Sequence, residues 1–277
     1  MFLPEFDSRS NAFYFNNMGT CLGANFFVFL VLGLISIQGC SSVKKKPLEL
    51  SSSERARMFV EVANAALLEG DPTGALQSLA EAEKIDSSLP ELHHSFALAY
   101  FRKHELKRAI QYARRAVELK PDYPEANNTL GKLLMEDGKL VEARAPLERA
   151  AHSPLSRETY KAWTNLGIIH YRLGDLKESE KLMDLAIENA PVVACAAYYY
   201  RGQIKLRNNQ VNSAILDYDR ATRKVCAGFG DAYLALGMAY EQNKQYELAR
   251  KVFLDVEKRF PNTKIAEQAT DRVRFLP

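Results

Sequence analysis

Chemistry in a polypeptide needs nucleophiles, bases or metal ligands at set spacings, and this chain offers few candidates. His93 and His94 are adjacent, so a helix points them in different directions. His104 opens His-Glu-Leu-Lys, which lacks the second histidine that a zinc-protease helix carries. Gly228-Phe229-Gly230 follows the end of a helical pattern, not a strand, and reads as a turn and not as a phosphate cradle. No nucleophile has a base at a motif spacing. The expectation is therefore no enzyme, no metal site, no cofactor and no small-molecule substrate. With 37 basic and 34 acidic residues the net charge is +3, and no basic block or aromatic–basic interleaving points to nucleic acid. What remains is four cysteines, at 21, 40, 195 and 226, and their positions are informative.

The first two lie near an apolar run, Phe26 to Ile37, which is short against the ~20 residues a spanning helix needs. It fits the h-region of a signal peptide. The run ends in Ile37-Gln38-Gly39-Cys40, followed by Ser41 and Ser42. This resembles a bacterial lipoprotein signal. The resemblance implies cleavage after Gly39, a thioether from the Cys40 sulfur to diacylglycerol, and sorting to the outer membrane, because the residue after Cys40 is not Asp. Only Arg9 lies upstream as a basic residue, beside Glu5 and Asp7, so translation starts at either Met1 or Met18; an uncleaved short anchor is the alternative reading. Residues 1–39 are set aside as the signal, leaving 36 basic and 32 acidic residues, a net of +4. Residues 40–53 are the lipidated cysteine and a polar linker whose Lys44 to Lys46 either solubilise it or touch headgroups. Ser51-x-x-Glu54 is expected to cap the first helix.

From there the chain repeats. A small residue recurs in mid-helix at Ala63, Ala97, Gly131, Gly167, Gly202 and Gly237, at steps of 34, 34, 36, 35 and 35 residues. A second small residue follows at Ala75, Ala109, Ala143, Ser179, Ala214 and Ala249. Four residues on stand Leu79, Ala113, Leu147, Met183, Tyr218 and Phe253. Closing prolines stand at Pro121, Pro191 and Pro261. A glycine inside a helix costs ~1 kcal/mol against alanine, a cost carried where another helix must come close. The pattern resembles the tetratricopeptide repeat, which has a period near 34 residues. The resemblance implies an all-α, right-handed superhelical solenoid over 54–277. Its six repeats are expected at about 54–88, 89–122, 123–157, 158–192, 193–227 and 228–262, with a capping helix over 263–277. Pro146 falls inside the second helix of repeat three and is expected to kink it.

In such an array Cys195 begins the first helix of repeat five and Cys226 ends the second, at the same pole of the helical hairpin. A disulfide between them is expected if their Cα atoms approach within ~7 Å; two separate buried thiols are the other reading. The first helices of an array line a concave groove. The register assigns Leu98, Phe101, Met135 and Ile168 to it, with Tyr171, Tyr199 and Leu206 further along. Asn64, Leu67, Gln203 and Met238 extend the same row, and a third to a half of it is expected to be buried between repeats. Apolar and aromatic positions of this kind suit an amphipathic helix or an extended apolar segment. The positions where chaperone-binding arrays place a clamp for a peptide carboxylate carry Val60, His94, Asn128, Thr164, Tyr199 and Leu234, which argues against that clamp.

A lipidation motif at Cys40, six repeats and a cysteine pair bracketing repeat five together resemble the outer-membrane lipoproteins of type IV pilus biogenesis, the PilF, PilW and Tgl group. That resemblance implies a periplasm-facing scaffold with no covalent step. It would be held to the bilayer by acyl chains and would bind a secretin subunit for localisation and multimerisation. The alternative is a lipoprotein adaptor that docks peptidoglycan hydrolases or synthases.

Overall fold

The computed structural model describes residues 50–277; the signal, the acylation motif at Cys40 and most of the linker lie outside the described residues. The chain opens where Ser51 caps α1 (Ser52–Glu69): its hydroxyl accepts from the Glu54 amide, and the Glu54 carboxylate accepts from the Ser51 amide. Gly70 then takes a left-handed conformation and Asp71 caps α2 (Pro72–Ile85), accepting from the Thr73 and Gly74 amides at 3.1 and 2.9 Å. Pro72 sits where its missing N–H is not needed.

The same hairpin then recurs as α3 (Pro90–Arg102) with α4 (Leu106–Leu119), α5 (Pro124–Glu136) with α6 (Leu140–His152), and α7 (Thr159–Arg172) with α8 (Leu176–Asn189). It continues as α9 (Cys195–Arg207) with α10 (Val211–Arg220) and α11 (Gly230–Gln242) with α12 (Tyr246–Arg259). A last helix, α13 (Lys264–Phe275), lies on α11 and α12, burying Ala266 and Ala269. Each helix packs on its hairpin partner, and the first helices touch in series from α1 through α3, α5 and α7 to α9. The result is a right-handed solenoid of helix pairs.

Close approach explains the small residues. A Cβ on Gly167 would come within 2.7 Å of the Met183 Cε, and one on Gly202 within 2.7 Å of the Tyr218 ring. Side chains at Gly131 and Gly237 would collide with Leu147 and Phe253 in the same way. In these four repeats the large residue four positions after the second small one thus fills the space a glycine leaves in the paired helix. Repeat two instead carries Ala97 and Ala113, both fully buried. Ser179 occupies a position that is alanine in the other repeats; its buried hydroxyl donates to the Gly167 carbonyl at 2.8 Å, which satisfies it at no cost in volume.

One expectation is corrected. Pro146 does lie inside its helix, and α6 runs on past it to His152, burying Leu147, Ala150 and Ala151. The array departs from regularity just after it, at 153–158, and again in repeat five, which the register did not anticipate. There α10 stops at Arg220, ten residues long against fourteen for α8 and α12, so Cys226 does not end it but lies in a separate 3-10 turn, Lys224–Cys226. Cys226 is disulfide-bonded to Cys195, the first residue of α9, with the Cα atoms 5.5 Å apart.

A three-helix ion network stiffens the same region. The Arg201 guanidinium on α9 grips the buried Asp217 of α10 through two bonds of 2.8 and 2.6 Å and reaches Asp184 of α8 at 2.6 Å. Lys205 adds a second cation to Asp217 at 2.8 Å. Burial works against the Arg201 charge, but its hydrogen bonds to Asp217 and Asp184 outweigh that and hold its pKa above the ordinary value.

Candidate partner-binding groove

The first helices of repeats two to five enclose an open groove of about 750 Å³. Leu98 and Phe101 of α3, Met135 of α5 and Ile168 of α7 line it together. Tyr200 of α9 and Phe229 from the loop after α10 close the far end, beside Cys195. Of the eleven positions in the expected row, Leu67, Met135 and Ile168 are buried, fewer than a third. Leu98 and Phe101 keep partial exposure and are free to meet a ligand.

Three residues of the expected set lie beside the groove and do not line it. Tyr171 packs edge-on to Tyr200, ring centres 5.3 Å apart, beneath the Arg207 guanidinium at 4.4 Å. Tyr199 sits among Tyr200, Phe229 and Tyr218 at 5.2, 5.1 and 6.0 Å. Leu206 packs against the cluster of Ala214, Tyr218 and Leu236. The reason is local: α9 carries three consecutive tyrosines, Tyr198 to Tyr200, which a helix spreads over roughly 200°. Tyr200 and Phe229 are among the groove residues that the repeat register missed. For Phe229 the signal was the turn itself, since Gly228-Phe229-Gly230 puts an aromatic between two glycines where the loop folds back.

Polar groups line the groove as well. Asn165 donates its amide to Asn128 at 3.0 Å, bridging α7 and α5. Lys132 lies over the Phe101 ring at 5.4 Å, Arg172 reaches the Met135 carbonyl at 3.4 Å, and Lys161 pairs with Glu158 at 2.6 Å. A side recess of about 240 Å³ continues from Leu98 and Asn128 to His94. The His94 ring meets the Tyr123 hydroxyl at 3.2 Å and the Thr129 hydroxyl at 2.9 Å. Burial pulls its pKa down to about 4, so the imidazole is neutral at pH 7. Burial likewise pushes Tyr123 up to about 12. The groove thus offers an apolar floor with fixed amides and cations at its edge, an arrangement suited to holding a polypeptide segment. Among the described residues no three His, Cys, Asp or Glu side chains converge as metal ligands.

Comparison with known proteins bears on the fold first. The tetratricopeptide repeat family matches residues 94–157, 147–194 and 199–262, more than half of the chain. The chain belongs to the tetratricopeptide repeat family. No curated protein matches it. Among solved structures it is similar to PilF of Pseudomonas aeruginosa, with a TM-score of 0.68 and 16% identity over 80% of this chain and 99% of that one. It is equally similar to PilW, a widely conserved type IV pilus biogenesis factor, with a TM-score of 0.68 and 18% identity over 78% of this chain and 99% of that one. A chain of the Cut9–Hcn1 hetero-tetramer of the APC/C gives a TM-score of 0.70 and 16% identity, over 79% of this chain but 42% of that one. At these identities the likeness establishes the fold alone. Tetratricopeptide arrays work as surfaces for other polypeptides, and this one is built accordingly.

Proposed function

We propose that the protein is a non-catalytic scaffold of type IV pilus biogenesis. In this reading it is anchored to the outer membrane through acylated Cys40, faces the periplasm, and binds a secretin subunit for its localisation and multimerisation. The groove carries the reading: Leu98, Phe101 and Tyr200 are half-buried apolar side chains around an open trough, next to amides that can pair with an extended backbone. Two further facts support it. The array matches the PilF and PilW structures over nearly their whole lengths. A disulfide at the groove's rim suits an oxidising compartment, which the lipoprotein signal also implies.

The test is a double substitution, Phe101→Asp with Tyr200→Asp, at two partly exposed positions. Detergent extracts of cells carrying it are expected to lose co-purification of the secretin, and secretin multimers are expected to fall, with an unchanged far-UV circular dichroism spectrum. Undiminished multimers would remove the groove from the reading. Co-purification of peptidoglycan hydrolases or synthases in place of secretin would give the wall-enzyme adaptor instead.

A further inference from the structure

The array ends differently at its two extremities. At the C-terminal end α13 covers the last hairpin and turns Glu267, Gln268, Asp271 and Arg272 to solvent, the polar cap a solenoid end requires. At the N-terminal end α1 buries Ala56, Val60, Ala63 and Leu67 against its neighbours, and its opposite face bears an uncovered apolar stripe. Met58 is 54% exposed, Phe59 37% and Val62 57%. Repeat equivalence says what this face is for. One repeat on, the positions of Met58, Val62 and Ala65 are held by Leu92, Phe96 and Ala99 of α3, all buried against repeat one. In α5 and α7 the Val62 position is Leu130 and Leu166, again buried. The face of α1 is therefore an inter-repeat packing surface with no repeat on it among the described residues.

The stripe is also complementary to itself. It runs Arg55, Met58, Phe59, Val62, Ala65, Ala66, Glu69, with spacings that read the same from either end. Val62 is its centre. Two such helices laid antiparallel put the large Met58 and Phe59 of one copy against the small Ala66 and Ala65 of the other, and Arg55 against Glu69. Neither Arg55 nor Glu69 has an ion-pair partner among the described residues. We propose that two copies of this chain associate through α1, antiparallel about a two-fold axis at Val62. Such an isologous contact closes on itself and leaves the groove of each copy open. One helix pair lies at the small end of specific interfaces, so the dimer is expected to be reversible.

Sedimentation of the full chain in non-ionic detergent tests this. A concentration-dependent monomer–dimer equilibrium is expected. Val62→Glu, which sets two carboxylates together at the axis, is expected to weaken it more than ~tenfold with unchanged circular dichroism. Arg55→Glu alone and Glu69→Arg alone are each expected to weaken it, and the double substitution to restore it, because residue 55 of one copy meets residue 69 of the other. Val62→Cys is expected to give a dimer cross-linked across the axis on oxidation. A dimer indifferent to Val62→Glu, or a double variant as weak as its parents, overturns the proposal. So does a monomer at every concentration. In that case the thiol of the Val62→Cys variant says whether the chain covers its own stripe: if it is shielded from reagents, residues upstream of 50 do, and if it is open, they do not.

Discussion

His94 is enclosed at the inner end of the groove's side recess, with hydroxyls from Tyr123 and Thr129 on its two nitrogens. In the unfolded chain its pKa is near 6.5, whereas in the fold burial holds it at about 4. The folded state therefore binds fewer protons between these values, and stability falls as pH drops from about 6.5 to about 4. The shift is worth about 3 kcal/mol at most, at 1.36 kcal/mol per unit. Urea denaturation of the wild type at pH 7 and pH 4.5 is expected to show a loss about 2 kcal/mol larger than that of His94→Gln. Equal losses would mean that the ring is hydrated in the fold. The sequence singled out this histidine as adjacent to His93 and as the occupant of a helix-face position without a clamp residue; its environment depends on Tyr123 and Thr129, a repeat away, which no local pattern joins to it.

At the scale of the helix pair, each turn between paired helices passes through one left-handed residue. In three repeats it is glycine, Gly70, Gly138 and Gly174; in the others it is His104, Asn209 and Lys244, with φ of 61°, 58° and 58°. A side chain in that region costs roughly 1–2 kcal/mol, least for asparagine. Lys244→Gly is expected to raise stability by about 1 kcal/mol and the melting temperature by a few degrees, measured by circular dichroism. An unchanged or lower temperature would mean that the lysine side chain gains compensating contacts.

The hairpins themselves were legible in the sequence because steric contact leaves a trace in residue size: Gly167 against Met183 and Gly202 against Tyr218 can be read from spacing alone. The ends of α10 could not be read this way. The repeat period carries Ala221 and Cys226 to helix positions, whereas the chain leaves the helix at Arg220 and folds through a 3-10 turn onto α9. The groove was half legible. Leu98, Phe101, Met135 and Ile168 follow from register, but Tyr199 and Tyr200 are equally aromatic, and only the packing of Tyr199 on Tyr218 and Phe229 decides which of them reaches the trough.

At the scale of the whole molecule a solenoid is held by nearest neighbours, with stability summed along its length. The bond between Cys195 and Cys226 is the exception, a covalent tie closing a sequence separation of 31 residues. In the chain-entropy description a loop of this size stabilises the fold by about 3–4 kcal/mol. Thermal unfolding with and without reductant is expected to differ mainly in the stretch of repeats five and six, which hydrogen exchange resolves repeat by repeat; a uniform loss along the array would make the tie a global clamp. That region also holds the Arg201 network and the far wall of the groove, so its rigidity fixes the position of Tyr200 and Phe229.

The same tie sets how far the molecule can be drawn out. If one end is fixed to a membrane while a bound partner is hauled away, the helices peel off in turn and lengthen the tether. The stretch between the two cysteines cannot contribute: at about 3.4 Å per residue, roughly 100 Å of slack stays locked inside the ring until the bond is reduced. An optical-trap trace of the oxidised chain should fall short of the reduced one by that length, which makes repeat five a mechanical stop.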